Sequence, residues 1–93
     1  MLRITVNETT DTIRLYLEGK LSGAWVAELE DIYTVRRRTQ GQKAVVVDLE
    51  NLTGLDTAGR YLLALIQSEG TAIDNANPLL APLWSAPVSA LRS

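Results

Sequence analysis

Few residues of this 93-residue chain could do chemistry, and they gather in its middle. Asp48 and Asp56 could be imagined as paired carboxylates for acid and base catalysis, and Thr57 adds a hydroxyl group. The chain has no cysteine and no histidine, so thiolate and imidazole metal ligands and the common general base are missing. Because no nucleophile, base or ligand set accompanies the two carboxylates, we expect them to be structural. We therefore expect no enzyme activity, metal or cofactor.

The elements that position these residues are a strand and a helix. Residues 44–47 form an unbroken apolar and β-branched run, typical of a parallel strand that is covered on both faces, and Asp48 ends that run. A short loop follows. The next apolar residues are spaced by three and four, which predicts an amphipathic helix that packs on the sheet and ends near Gly70; they are Ala58, Leu62, Leu65 and Ile66.

The start of this helix is the candidate site. Asp56 or Thr57 can cap the helix by accepting a hydrogen bond from a first-turn backbone N–H. Either way, the Thr57 hydroxyl lies at the positive end of the helix dipole, which also suits a phosphate. Arg60 is in the first turn, where a cation is unfavourable, so it is either solvated or available to a ligand.

The stretch Val45–Gly59 resembles the signature of STAS domains, the anti-sigma-factor-antagonist family. The family's usual form is an apolar strand, Asp-Leu, a short loop and Asp-Ser-Ser-Gly at the start of a helix. Leu17–Leu21 also resembles the family's apolar-x-Gly-x-Leu segment, so the resemblance spans roughly residues 2–75. It implies a small α/β domain with a mixed sheet, an amino-terminal antiparallel hairpin and helices packed on the sheet.

The same resemblance implies a function. The family's phosphorylated residue corresponds to Thr57, so we expect a protein-binding regulator of transcription that a partner serine/threonine kinase of the anti-sigma type switches by phosphorylation. An alternative is a STAS-like regulatory subunit of a membrane transporter that binds its ATPase through the same helix edge. The expected partner-binding residues are Ser22, Asp56, Thr57, Ala58, Arg60 and Tyr61. Four of them depart from the family pattern: Ser22, Ala58, Arg60 and Tyr61.

The remaining elements follow from periodicity. Two amino-terminal segments alternate apolar and polar residues, which predicts a hairpin whose second strand closes at Gly19. Ser22-Gly23 then precedes an amphipathic helix over residues 24–38. Residues 71–75 are a weak last strand.

Some residues have two interpretations at this stage. The run Arg36–Arg38 could bind phosphate or only complement the dipole at the end of its helix. Trp25, Tyr61 and Trp84 could be core anchors or exposed interface residues, and Tyr61 is the best interface candidate because it lies beside the apolar stripe of its helix.

Composition limits the partners and the location. The length suits a single domain over residues 1–93, and the formal net charge of -2 gives no reason to expect nucleic acid or anionic membrane as a partner. No uncharged apolar run approaches about 18 residues, and charged residues interrupt the amino terminus, so we expect a cytoplasmic protein without direct membrane insertion.

The carboxyl-terminal residues 78–93 are the other departure from the family. Asn77-Pro78 is a good helix start, but Pro82 and Pro87 would break a long helix, which predicts an irregular tail with short helical turns. Its large apolar residues require cover from the domain's own sheet or from a second copy. We expect a homodimer in which the tail, or the surface it leaves bare, supplies part of the contact. These apolar residues are Leu79, Leu80, Leu83, Trp84, Val88 and Leu91.

Overall fold

The computed structural model describes residues 1–76. The expectations for the tail over residues 78–93, including Trp84 and the tail's part in a homodimer, lie outside the described residues. Within them the elements, in chain order, are β1 (Leu2–Glu8), β2 (Thr12–Leu21), α1 (Ala24–Thr39), β3 (Ala44–Leu55), α2 (Thr57–Ser68) and β4 (Ala72–Asp74).

The four strands form one mixed sheet in the order β1-β2-β3-β4. β1 and β2 pair antiparallel as a hairpin, whereas β2 with β3 and β3 with β4 pair parallel. Parallel neighbours need a crossover connection, and α1 and α2 supply the two crossovers. The predicted α/β architecture with an amino-terminal antiparallel hairpin is therefore confirmed.

One apolar core joins both described helices to one face of the sheet. Alternate residues of each strand point to this face, as the period of two requires. The core includes Leu15 and Leu17 from β2 and Val47 and Leu49 from β3, all almost completely buried. The helices add Leu29, Tyr33, Leu62, Leu63 and Ile66.

The opposite face of the sheet carries a partly buried ionic network around Asp48. Asp48 accepts hydrogen bonds from Arg14 Nη1 at 2.8 Å and from Asn75 Nδ2 at 2.9 Å. The second guanidinium nitrogen, Arg14 Nη2, lies 3.0 Å from Asp74 Oδ2. The Asp48 side chain is only 4% exposed, so these hydrogen bonds offset the cost of burying its carboxylate. Hydrogen bonds to Asp74 and Asp48 raise the pKa of Arg14.

Two strand boundaries predicted from the sequence are wrong. β2 does not end at Gly19 but continues to Leu21. Gly19 has a φ of 105°, and the carbonyl oxygen of Met1 lies only 2.5 Å from the position that a Cβ atom would occupy, so a glycine lets the strand pass this point. β3 does not end at Asp48 but continues to Leu55, because its second half pairs with the second half of β2 beyond an irregularity in register. The loop expected before α2 is therefore mostly strand.

The helices lie where periodicity predicts them, but their buried faces differ in detail. In α2 the core side is Gly59, Leu62, Leu63 and Ile66, while Ala58 is exposed and Leu65 is 45% exposed. The α2 helix therefore turns slightly away from its predicted orientation. At the start of α1, Trp25 is 38% exposed.

The Arg14 network gives a prediction for stability. Arg14→Met removes the cation and leaves the Asp48 carboxylate buried without its charge partner, so we expect a loss of about 2 kcal/mol in unfolding free energy. Urea denaturation followed by circular dichroism measures this loss. Asp74→Ala is the control, because Asp74 is half exposed and its loss should cost less than about 1 kcal/mol. Equal effects of the two substitutions would contradict the assignment of Asp48 as the residue that needs Arg14.

Candidate partner-binding site

Asp56 caps α2. Its backbone is extended, and its side-chain Oδ1 accepts a hydrogen bond of 2.8 Å from the backbone N–H of Gly59, in the first turn. Of the two cap candidates that the sequence leaves open, the structure selects Asp56. Thr57 becomes the first helical residue, and its hydroxyl forms no hydrogen bond with any residue in the described part of the chain.

The same carboxylate also holds the loop between β2 and α1. Asp56 Oδ2 accepts a hydrogen bond of 2.9 Å from Gly23 N–H, and Asp56 N–H donates one of 3.1 Å to the carbonyl of Leu21. The hydrogen bonds from Gly23 and Gly59 lower the pKa of Asp56 below its usual value. One residue therefore fixes the starts of both helices relative to each other.

Gly59 allows α2 to approach the end of β2 closely. A Cβ atom at this position would lie 2.6 Å from the carbonyl oxygen of Leu21, closer than any side chain tolerates. Sequence reasoning did not include Gly59 or Gly23 among the site residues. A glycine in the first turn of an otherwise favourable helix is the signal that could have identified Gly59.

The other predicted site residues form a surface around Thr57. Thr57, Ala58, Arg60 and Tyr61 are exposed on α2, and the Tyr61 side chain is 74% exposed. Ser22 is half-buried in the loop that Asp56 ties to α2, so it belongs to the same end of the sheet. The structure therefore brings the sequence-predicted residues together, and Tyr61 lies outside the core.

Asp48 and Asp56 have separate hydrogen-bond partners. Asp48 binds Arg14, Asn75 and the backbone N–H of Glu50, whereas Asp56 binds the N–H groups of Gly23 and Gly59. The two carboxylates share no partner within residues 1–76. Residues 1–76 contain no group of three or more carboxylate, thiol or imidazole side chains arranged to hold a metal ion, and no helix among them is long and apolar enough to cross a membrane.

Two of the three arginines at the end of α1 contact residues of other elements. Arg37 donates hydrogen bonds from Nη1 to the hydroxyls of Thr71 at 2.7 Å and Tyr33 at 3.3 Å. The Tyr33 hydroxyl also donates to Glu69 at 2.7 Å, and burial raises the pKa of this tyrosine. Arg36 lies 3.9 Å from Glu8. Arg36 and Arg37 thus have structural partners, as the dipole interpretation of this run allows.

Comparison with known proteins finds solved structures of similar fold. The chain matches no protein-family model and no curated protein. Among solved structures, it is similar to the anti-sigma factor antagonist SpoIIAA in its unphosphorylated form, with a TM-score of 0.67 and 15% sequence identity over 98% of this chain and 99% of that one. It is also similar to a Shewanella loihica protein with a SpoIIAA-like fold, with a TM-score of 0.54 and 18% identity over 99% of this chain and 79% of that one.

A third similarity involves a much longer protein. The chain resembles part of Mglu with a TM-score of 0.60 and 24% identity, covering 80% of this chain but only 19% of Mglu. The chain therefore spans about a fifth of the length of that protein. At these identities the likeness is one of fold, and the fold is SpoIIAA-like.

The clamp at Asp56 gives a prediction for pH dependence. Because its pKa is lowered in the folded state, the stabilisation is complete above the usual aspartate range, near pH 4, and is lost as the pH falls through the lowered pKa. Asp56→Asn removes this titration, so the stability difference between wild type and variant should shrink from about pH 6 to about pH 3. Urea midpoints across this range test it.

The control for that titration is Asp31→Asn, an exposed aspartate on α1. It removes one surface carboxylate that forms no salt bridge within residues 1–76, and so controls for the loss of a negative charge alone. A pH-independent difference between wild type and Asp56→Asn would show that the carboxylate does not hold the two helix starts through its charge.

Proposed function

We propose that this domain is a non-enzymatic protein-binding regulatory module, of the anti-sigma-factor-antagonist kind, switched when a partner serine/threonine kinase phosphorylates Thr57. The observation that carries the proposal is the exposed Thr57 hydroxyl at the first position of α2, which the cap does not use because Asp56 supplies it. A kinase can reach this hydroxyl without opening the fold. The SpoIIAA-like fold supports the same module type.

A phosphate at this position would change the charge of the surface. It adds a charge of about -1.5 to -2 at neutral pH. The helix dipole favours an anion there, and Arg60, three residues further along α2, is within reach of a side chain at Thr57. The fold therefore tolerates the modification, while Asp56 and the phosphate together repel a partner that fits the unmodified hydroxyl.

The exposed residues beside Thr57 suit a protein partner. Tyr61 offers a large, rigid aromatic surface with a polar end, the kind of side chain that dominates binding energy at interfaces. Ala58 leaves room beside it, and Arg60 supplies the cation. A kinase of the anti-sigma type acts in the cytoplasm on transcription, so the proposal places the domain there.

The alternative, a regulatory subunit of a membrane transporter, would use the same edge of α2, and identifying the partner distinguishes it from the switch. Affinity purification from the native cell with the full chain as bait separates the two classes of partner. Recovery of an ATP-binding serine/threonine kinase that phosphorylates the bait supports the switch. Recovery of a membrane-bound transporter ATPase instead favours the regulatory subunit.

The first prediction of the proposal concerns the phosphate. A fraction of the protein isolated from its native cell should carry a single phosphate on Thr57, because this exposed hydroxyl is not used by the cap. Intact mass and fragment spectra locate it, and Thr57→Ala should abolish it. Phosphate found on other residues only, with Thr57 unmodified under every growth condition, would refute the switch.

The second prediction uses a phosphate mimic. Thr57→Glu should leave circular dichroism unchanged, because an acidic group at the helix start is compatible with the dipole. Its affinity for the purified partner should fall at least tenfold, roughly 1.4 kcal/mol. Isothermal titration calorimetry measures the fall.

Two matched variants make this result specific. Thr57→Ser keeps a hydroxyl and should bind like wild type. Thr10→Glu adds the same charge to an exposed threonine in the β1–β2 loop, at the opposite end of the sheet, and should also bind like wild type. Equal affinity of Thr57→Glu and wild type would remove the electrostatic argument.

A further inference from the structure

A groove runs between α1 and α2. It consists of two adjoining cavities of about 390 Å³ and 270 Å³, which share Glu30, Leu62 and Leu65 in their linings. Leu65 is 45% exposed, although it lies in the middle of the groove. The groove is therefore an apolar surface between two helices, with room for side chains from another molecule.

The two ends of the larger cavity differ in net charge, because Glu30 lines one end, whereas Arg37 and Arg38 outnumber Glu69 at the other. Glu30 and Arg38 both line it from α1, and their separation of eight residues corresponds to about 12 Å along the helix axis. Neither forms a salt bridge with any residue in the described part of the chain. Arg37 lines the same end as Arg38, and within residues 1–76 its hydrogen bonds to Tyr33 and Thr71 use Nη1 alone.

This charge pattern is complementary to itself. When a helix segment with an anionic end and a cationic end is rotated by 180° about an axis through its middle, each end meets its opposite. Thr34 lies midway between Glu30 and Arg38 and lines the cavity, and its small side chain allows close approach at the axis. A partner with one sign of charge would instead be repelled at one end of the groove.

We propose that two copies of this chain associate through this groove, with α1 of one copy antiparallel to α1 of the other. Glu30 of each copy then faces Arg38 of its partner, and the exposed Leu65 side chains are removed from water near the two-fold axis. This contact differs from the dimer expected for the tail, because it uses only α1 and α2. The smaller cavity is also lined by Ala58 and Tyr61, which the proposed function assigns to a protein partner, so that partner and the second copy compete for this end of the groove.

The test is sedimentation velocity on the full chain from about 1 to about 500 µM. Wild type should shift from monomer to dimer mass over this range. Glu30→Arg and Arg38→Glu each place like charges together at both symmetric contacts, so each should raise the dimer dissociation constant at least tenfold. The double variant Glu30→Arg with Arg38→Glu restores opposite charges and should return to within about threefold of wild type.

Control variants separate this contact from other causes. Glu28→Arg reverses an exposed acidic residue of α1 that does not line the groove, and it should dimerise like wild type. Circular dichroism establishes that each variant is folded. A monomer throughout the range would overturn the proposal. So would a dimer that neither single reversal weakens, which would assign the contact to another surface such as the tail, or a double variant that remains as weak as the single ones.

Discussion

The arrangement of this domain depends on one carboxylate with two acceptor oxygens. Asp56 binds Gly59 with one oxygen and Gly23 with the other, so the start of α2 and the start of α1 are held together at the end of the sheet. An amide in its place could accept with only one of its two terminal atoms. The close contact of Gly59 with Leu21 fits the same constraint, because the hydrogen bond from Gly23 joins the residues after β2 to the start of α2.

The two helices are also fixed at their far ends. Arg37 and Tyr33 of α1 bind Thr71, which follows α2, so a polar cluster joins the helices at this end of the groove. Tyr33 and Thr71 are buried, so their hydroxyls require these partners. The interhelical groove thus has a carboxylate contact at one end and a guanidinium contact at the other.

The sequence could predict the elements because their periodicities are strong, and the mixed sheet with its amino-terminal hairpin followed from the resemblance. It could not predict that β3 continues past Asp48, because a charged residue normally interrupts a buried strand and its partner Arg14 is 34 positions away. The site was recoverable as a cluster, since Asp56 to Tyr61 are adjacent in sequence. The hydrogen bond from Gly23 to Asp56 could not be predicted, because every residue type except proline has a backbone N–H. Similarly, the exposure of Leu65 depends on how the two helices cross, which their separate patterns do not determine.

The continuation of β3 to Leu55 also bears on the thermodynamics of the proposed recognition at Thr57. Only Asp56 separates the end of the strand from the first residue of α2, so Thr57 is attached to the sheet by almost no free chain. A flexible loop would lose backbone entropy of about 1–2 kcal/mol for each residue that a partner orders. Here the backbone around the hydroxyl is already ordered by strand pairing and by the cap, so most of the contact energy of a docking protein remains available as affinity.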